Sequence, residues 1–309
     1  MGAVFWKETA DYFGSRRFIV LLLMIAFAGV WAAYTATQAI RAEAALATTE
    51  DVFLRLFTTS GSGSTLSFNF FTSFFGPLLG MALGFDAING ERGRGTLARI
   101  LSQPIYRDAL INGKFFAGVT VLSIALVSLM LIVIGIGIFT LGFGPTFDEI
   151  TRLALFFVAT LIYFAVWLAI AILFSLLFDR AVVSALASLG MWLVLTFFIF
   201  FFSTTIADQI VNEQVDEPEI AAMDKMEWQQ RIQRISPAYL YGEATQALLN
   251  PKVRTLGAGI QQSTEVMPSP LALGQSVGLV WPQLITLIAI ASVVFGIAYV
   301  RFMKEEIRF

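Results

Sequence analysis

At 309 residues, 57% of them hydrophobic and only 14% charged, the chain departs from soluble domains, in which roughly a quarter of residues are charged. A net charge of −2 and the lack of basic runs with interleaved aromatics argue against a nucleic-acid binder. With no cysteine and no histidine, disulfides, thiolate or imidazole metal sites, haem ligation by either residue, cysteine nucleophiles and imidazole-based triads are excluded.

The N-terminus carries Lys7, Glu8, Asp11, Arg16 and Arg17, among which Val4, Phe5, Tyr12 and Phe13 recur at near-helical spacing. That pattern predicts an amphipathic helix at the membrane interface; the plainer alternative is a positively flanked lead-in. No small-residue cleavage pattern follows the first apolar run, so this run is expected to stay as an anchor.

A charge at mid-bilayer costs about 2.5–3.5 kcal/mol even on the lenient insertion scale, so long charge-free windows locate the spans. Six occur, at 18–40, 56–85, 115–147, 153–178, 181–207 and 266–300. Each exceeds the roughly 17–25 residues a span needs. The Ser/Gly/Thr cluster at 58–65 reads as loop, and Pro268, Pro270 and Pro282 read as breakers. These signals narrow the spans to about 18–38, 66–85, 116–140, 153–178, 181–206 and 283–301. The expected fold is therefore an all-α integral membrane protein, one transmembrane domain of six helices.

An even number of spans leaves both termini on one side. With that side cytoplasmic, Lys7, Arg16, Arg17, Arg92, Arg94, Arg99, Arg107, Lys114, Arg180, Arg301, Lys304 and Arg308 are inside. Only Arg41, Arg55 and Arg152 then lie in short outer loops, and the positive-inside rule selects this orientation. The extracytoplasmic segment 207–280 is acidic and predicts two helices. One runs over 218–233; the other opens with Ser236 as N-cap and Pro237 at the first helical position, and stops at Asn250 and Pro251.

No ionisable residue falls inside the windows, whereas ion-coupled transporters usually place acids or bases at membrane depth. Uphill transport would need an outside energy source, and the chain lacks the G-x-x-x-x-G-K-[ST] loop that wraps nucleotide phosphates. The most loaded stretch is the loop 86–114 after the second span. In it Ile88, Leu97, Ile100, Leu101 and Ile105 form the apolar side of a short surface helix, leaving Glu91, Arg92, Arg94 and Arg99 for a partner or solvent. A plain solvated loop is the alternative. Within the second span Gly76, Gly80 and Gly84 recur every four residues beside Pro77, which suits close helix packing within one subunit, a dimer seam or a moving element. Phe197, Phe198, Phe200, Phe201 and Phe202 crowd the fifth span, as a lipid-facing belt or an apolar lining. Met223, Met226 and Met267 are a weak copper(I) signal without histidine or cysteine.

The run F-D-A-I-N-G-E-R-G-R-G-T-L-A-R-I-L-S-Q-P-I-Y-R-D-A-L-I-N-G-K, residues 85–114, resembles the signature loop of ABC-2 type transporter permeases. An aspartate, then E-R, G-T-L, S-x-P and G-K recur there between the second and third spans. The six-span layout, the amphipathic start and the Ser236-Pro237 segment are also similar, especially to the branch that includes the permease of the nitrous-oxide-reductase maturation system. The long acidic segment departs from that branch. The resemblance implies a permease dimer, homo- or heteromeric, in the cell membrane of a prokaryote, working with two copies of a cytoplasmic ABC ATPase that holds the ATP and magnesium. It implies a coupling helix over 86–103, with Asp86, Glu91, Arg92, Gly95, Thr96, Leu97 and Pro104 as coupling or ATPase-contact positions, and no catalytic residue, cofactor or metal in this chain. The expected function is export driven by the partner's ATP hydrolysis, on a lipid-like or amphipathic substrate. Rival readings are a copper or sulfur maturation subunit, a non-transporting ATPase anchor, and a membrane-embedded enzyme, against which the uncharged windows speak.

Overall fold

The structure, a computed structural model, describes residues 2–44, 51–59, 67–103, 106–211, 218–251, 256 and 271–304. Among them the chain is helical with no strand. In order the helices are α1 (Gly2–Phe13), α2 (Arg16–Ala44), α3 (Val52–Thr58), α4 (Phe68–Gly84), α5 (Asn89–Gly93), α6 (Thr96–Leu101), α7 (Arg107–Leu141) and α8 (Phe147–Leu177). Then come α9 (Ala181–Leu193), a π-helical turn (Val194–Phe198), α10 (Ile199–Val211), α11 (Pro218–Gln233), α12 (Pro237–Leu249) and α13 (Leu273–Lys304). Six stretches are long and apolar enough to cross a membrane: α2, α4 with its continuation into α5, α7, α8, α9 through α10, and α13. The molecule is an all-α membrane protein; α1 and the end of α13 share what we call the terminal face.

Helix α8 is the hub, with α4 and α13 packed along it. Its start follows from the sequence: Thr146 and Glu149 form a reciprocal capping box, and Asp148 and Glu149 place negative charge at the positive end of the helix dipole. Its middle, from Val166 to Ile172, is apolar all round and buried, as expected of a helix enclosed by other helices. At the other extreme, the span from Ala181 to Val211 is mostly exposed, including Phe198, Phe200, Phe201 and Phe202.

The glycine stripe explains the α4–α8 contact. A Cβ at Gly76 would sit 1.8 Å from Phe164, at Gly80 2.7 Å from the Phe164 carbonyl, and at Gly84 2.7 Å from the Ala171 Cβ. The stripe is thus filled by the chain's own α8, which is the intrasubunit alternative. Pro77, inside α4, cannot donate to the carbonyl of Ser73 one turn earlier. The Tyr163 hydroxyl of α8 donates to that carbonyl at 3.0 Å, so the proline is accommodated by the neighbouring helix.

Four boundaries differ from expectation. Helix α7 starts at Arg107 rather than near 116, so Gly113 and Lys114 are helical. Helix α13 starts at Leu273 and passes through Pro282, expected to break it; spanning helices tolerate proline where the rest of the helix is held by neighbours, here α8 and α12. Residues 52–58, read partly as window and partly as loop, form α3, whose Phe53, Leu54, Leu56 and Phe57 are fully buried. The expected single helix over 86–103 is two short helices, α5 and α6. By contrast α11 and α12 begin and end where Pro218, Ser236-Pro237 and Asn250 predict, with the Ser236 side chain accepting from Tyr239 N–H.

Candidate functional site

The signature loop folds on the terminal face, and its charged ends meet there. The Lys114 Nζ of α7 donates to Glu91 Oε1 of α5 at 2.8 Å and to Glu8 Oε2 of α1 at 2.9 Å. All three side chains are at most 6% exposed. Gly113 permits the approach, since a Cβ there would lie 2.8 Å from Val4 of α1. In such a low-dielectric setting the attraction is strong but the ions need one another: removing one partner of a buried pair costs about 3–5 kcal/mol. One ammonium therefore locks three helices in register.

Further bonds tie α5 to the rest of the bundle. The Ser175 hydroxyl oxygen of α8 accepts from the backbone N–H of Ile88 and of Asn89, at 2.8 and 3.1 Å. This satisfies donors that the start of a helix leaves without intrahelical partners. Asn89 Nδ2 donates to the Phe178 carbonyl at 3.1 Å, and Arg92 pairs with Asp179 at 2.7 Å. Asp86 takes Arg17 of α2 at 2.9 Å, and the same guanidinium lies 5.1 Å from the Phe85 ring centre. These outer pairs are more exposed and individually weak, yet they place α5 against α1, α2, α7 and the α8–α9 turn together.

The remaining motif residues are distributed differently. Gly95 has φ of +67°, a left-handed conformation that favours glycine, and it breaks the expected helix between α5 and α6. Thr96 restarts the chain, its hydroxyl donating to the Glu91 carbonyl at 3.1 Å. Leu97 is buried, whereas Gly93, Arg94, Gly95, Arg99, Ser102 and Gln103 are exposed. Pro104 and Ile105 lie outside the described residues. The expectation that Glu91 faces a partner or solvent is corrected: it faces inward, because Lys114 on the next helix supplies the counter-charge.

Beside the cluster opens a cavity of about 340 Å³, lined among others by Lys7, Tyr12, Arg17, Asp86, Glu91 and Arg94. Tyr12 is held neutral well above the ordinary tyrosine range, first by burial and then by the nearby Glu8, Asp86, Glu91 and Asp11 carboxylates. Burial acts to lower Lys7, but its contacts with Glu8 and Asp11 outweigh this and leave it raised.

A second polar network sits on the opposite face. Helix α12 wedges between α8 and α13, stacking Tyr241 on Tyr163 with ring centres 4.3 Å apart. The Tyr241 hydroxyl lies 3.0 Å from Thr160 and 3.3 Å from Thr72; burial, eased by these hydroxyls, pushes it up to about 12. Glu243, buried, accepts from Gln230, Arg234 and Gln283. Arg152, about 1% exposed, holds Asp148, Ser276 and the Leu271 carbonyl at 2.6, 3.0 and 2.7 Å, joining α8 to α13. Sequence reasoning missed Glu8, Lys114, Ser175, Arg152 and Glu243 as structural ions and ligands. Only Lys114 had a signal, as the last letter of the motif; the others look like ordinary boundary or surface residues.

The sequence model of the ABC-2 family transporter protein matches residues 2–307. The chain belongs to the ABC-2 transporter family. A curated relative, "Probable ABC transporter permease protein NosY" of Pseudomonas aeruginosa, is 26% identical over 214 residues, which are 67% of this chain and 70% of that protein. Glu91 and Lys114 of the buried cluster thus lie in the 85–114 loop of an ABC transporter membrane subunit, and Glu8 reaches them from α1.

Proposed function

We propose that this ABC-2 family subunit is the permease of an ATP-driven exporter in a prokaryotic cell membrane, with both termini, α1, α5 and α6 in the cytoplasm. A separate ABC ATPase, two copies for a permease dimer, holds the ATP and magnesium and docks on the exposed side of α5 and α6. The observation that carries this is the Glu8–Lys114–Glu91 cluster. A push on α5 cannot be absorbed locally, because α5 is ionically fixed to α1 and α7 and hydrogen-bonded to α8 through Ser175. Movement then passes to spans three and four through these bonds, to span two through the continuity of α4 with α5, to span one through the Arg17–Asp86 pair and to span five through Arg92–Asp179, and the exposed aromatic face of the fifth span suits a lipid-like or amphipathic substrate. Glu91 and Thr96 act inside this linkage, and Arg94 and Arg99 present the contact surface.

The test is co-expression of the tagged chain with a stand-alone ATPase encoded beside it, comparing wild type with Arg94→Glu plus Arg99→Glu. Retention of the ATPase by the wild type and its loss in the variant supports the reading; a correctly inserted wild type that never retains an ATPase overturns it. Stimulation of the bound ATPase by candidate lipids separates a transporter from a passive anchor. The resemblance of the 85–114 loop to the nitrous-oxide-reductase maturation branch favours one second reading, a subunit of a metalloenzyme maturation system; loss of a periplasmic metalloenzyme's activity on deletion, with lipid export unchanged, would establish it.

A further inference from the structure

A groove between spans one and three takes no part in the coupling linkage. It lies on the half of the bundle away from the terminal face, where α2 and α7 both end, and its volume is about 580 Å³, within the roughly 300–1,000 Å³ of clefts that hold a ligand. Phe27, Trp31 and Tyr34 of α2 line one side, and Gly135, Phe139 and Thr140 of α7 the other. Phe27 and Phe139 are 75% and 90% exposed, so no described residue covers them. A Cβ added at Gly135 would meet no atom within 4 Å, in contrast to the filled stripe of α4. The glycine here leaves a hollow rather than a helix contact.

The head of this apolar groove carries a cation. Phe27, Trp31, Tyr34, Gln38 and Arg41 recur at helical spacing along one exposed face of α2. Arg41 donates to the carbonyl of Thr140, which itself lines the groove. A guanidinium has five N–H donors, so this bond fixes Arg41 at the mouth and leaves donors for another acceptor. At about 1.5 Å per residue, Arg41 stands about 21 Å along α2 from Phe27 and about 36 Å from Arg17. Half a bilayer with its headgroup region is about 20–22 Å thick and the whole about 40–45 Å. With Arg17 and Arg41 each at headgroup depth, Phe27 lies near the midplane. The groove therefore spans one leaflet, apolar through its depth, with Tyr34 and Gln38 towards the interface and a guanidinium at the top. Arginine's planar donors match a phosphate in a bidentate manner, and an acyl chain matches the wall beneath.

We infer that the α2–α7 groove binds one phospholipid of the leaflet away from the terminal face, its phosphate on Arg41 and one acyl chain laid against Phe27, Trp31 and Phe139. This site lies apart from the aromatic face of the fifth span and needs no ATPase. The lipid is a resident part of the wall, joining the far halves of α2 and α7 where the side chains leave a gap.

The test uses the full-length protein in dodecyl maltoside, a detergent without phosphate, with equimolar phosphatidylglycerol bearing a diazirine in its acyl chain. Labelled peptides are mapped by mass spectrometry after photolysis. Residues 27–34 and 135–140 should label at least tenfold more than the exposed residues 198–202 of the fifth span. A diacylglycerol with the same diazirine chain lacks the phosphate and should label the groove at least about tenfold less, the factor that one bond to a charged group supplies. Arg41→Gln should make the two probes alike. Gly135→Leu directs its side chain into open space, so it should keep the thermal midpoint of the wild type and lose the groove labelling. Equal labelling of the groove and the fifth span would reduce the lipid there to bulk lipid, and equal labelling by the two probes would take the phosphate off Arg41; either overturns the inference. If the wild-type groove stays unlabelled and Gly135→Leu splits paired chains into single ones, a second copy is the occupant and the inference is likewise overturned. None of these readouts involves the ATPase, so the proposed docking is tested separately.

Discussion

Replacing Lys114 with methionine keeps an unbranched stem, one heavy atom shorter, and removes the charge. Two carboxylates, each at most 6% exposed, would then lose the cation between them, and Glu8 would keep only the half-exposed Lys7. Removing one partner from a buried ion pair costs about 3–5 kcal/mol. At about 1.36 kcal/mol per decade, the equilibrium between docked and undocked α1 shifts by about 10²–10⁴-fold, since α1 meets the bundle chiefly through α7. Hydrogen exchange of the protein in nanodiscs reads this directly: α1 and α5 amides should lose that much protection while the middle of α8 keeps its own. The triple variant Glu8→Leu, Glu91→Leu, Lys114→Met replaces the ions by apolar groups of similar size and should restore protection of α1, because apolar replacement of a whole buried ion group is often neutral or stabilising. Unchanged exchange in α1 for Lys114→Met alone would refute the claim that this ammonium holds the three helices together.

Other sites give sharper single-residue tests. Gly80→Leu drives a side chain into the α8 backbone, where even a Cβ would lie 2.7 Å from the Phe164 carbonyl; overpacking of this kind costs about 1–3 kcal/mol, and a thermal midpoint equal to wild type would contradict the packing. Arg152→Met leaves Asp148, Ser276 and the Leu271 carbonyl unserved, and at about 1.5–3 kcal/mol for a bond to a charged group the start of α13 should exchange faster than the rest of that helix. Tyr241→Phe removes the hydroxyl between Thr72 and Thr160 and should lower stability by about 0.5–1.5 kcal/mol, measured as a thermal shift absent in Tyr239→Phe. Tyr12 ties stability to alkaline pH: unfolded tyrosine ionises near 10 while the folded residue stays neutral to higher pH. Its contribution is whole below about pH 10 and falls as pH rises beyond it, so α1 protection should decline above that point in wild type and less in Tyr12→Phe.

Local chemistry made much of the fold readable. Charge-free windows located the six crossing helices, because a bilayer penalises a charge more than any context can hide. Ser236-Pro237 and Asn250 bounded α12 because capping depends on the nearest few residues. The motif from residue 85 to 114 contains Glu91 and Lys114, which the structure pairs in the buried cluster. Pro282, read as a breaker, misled, because α13 runs unbroken through it, while Pro77 sits inside α4 with the carbonyl it frees served by Tyr163.

The sequence by itself determined that this is a membrane protein with six crossing helices, since hydropathy and caps are properties of contiguous residues. Only the tertiary structure decided that Glu91 turns inward to Lys114, that Glu8 joins them from 106 residues before Lys114, and that the glycine stripe is filled by α8. The physical reason is that the value of a charge or of a missing side chain depends on what stands across from it, and across helices that partner is set by packing rather than by position along the chain.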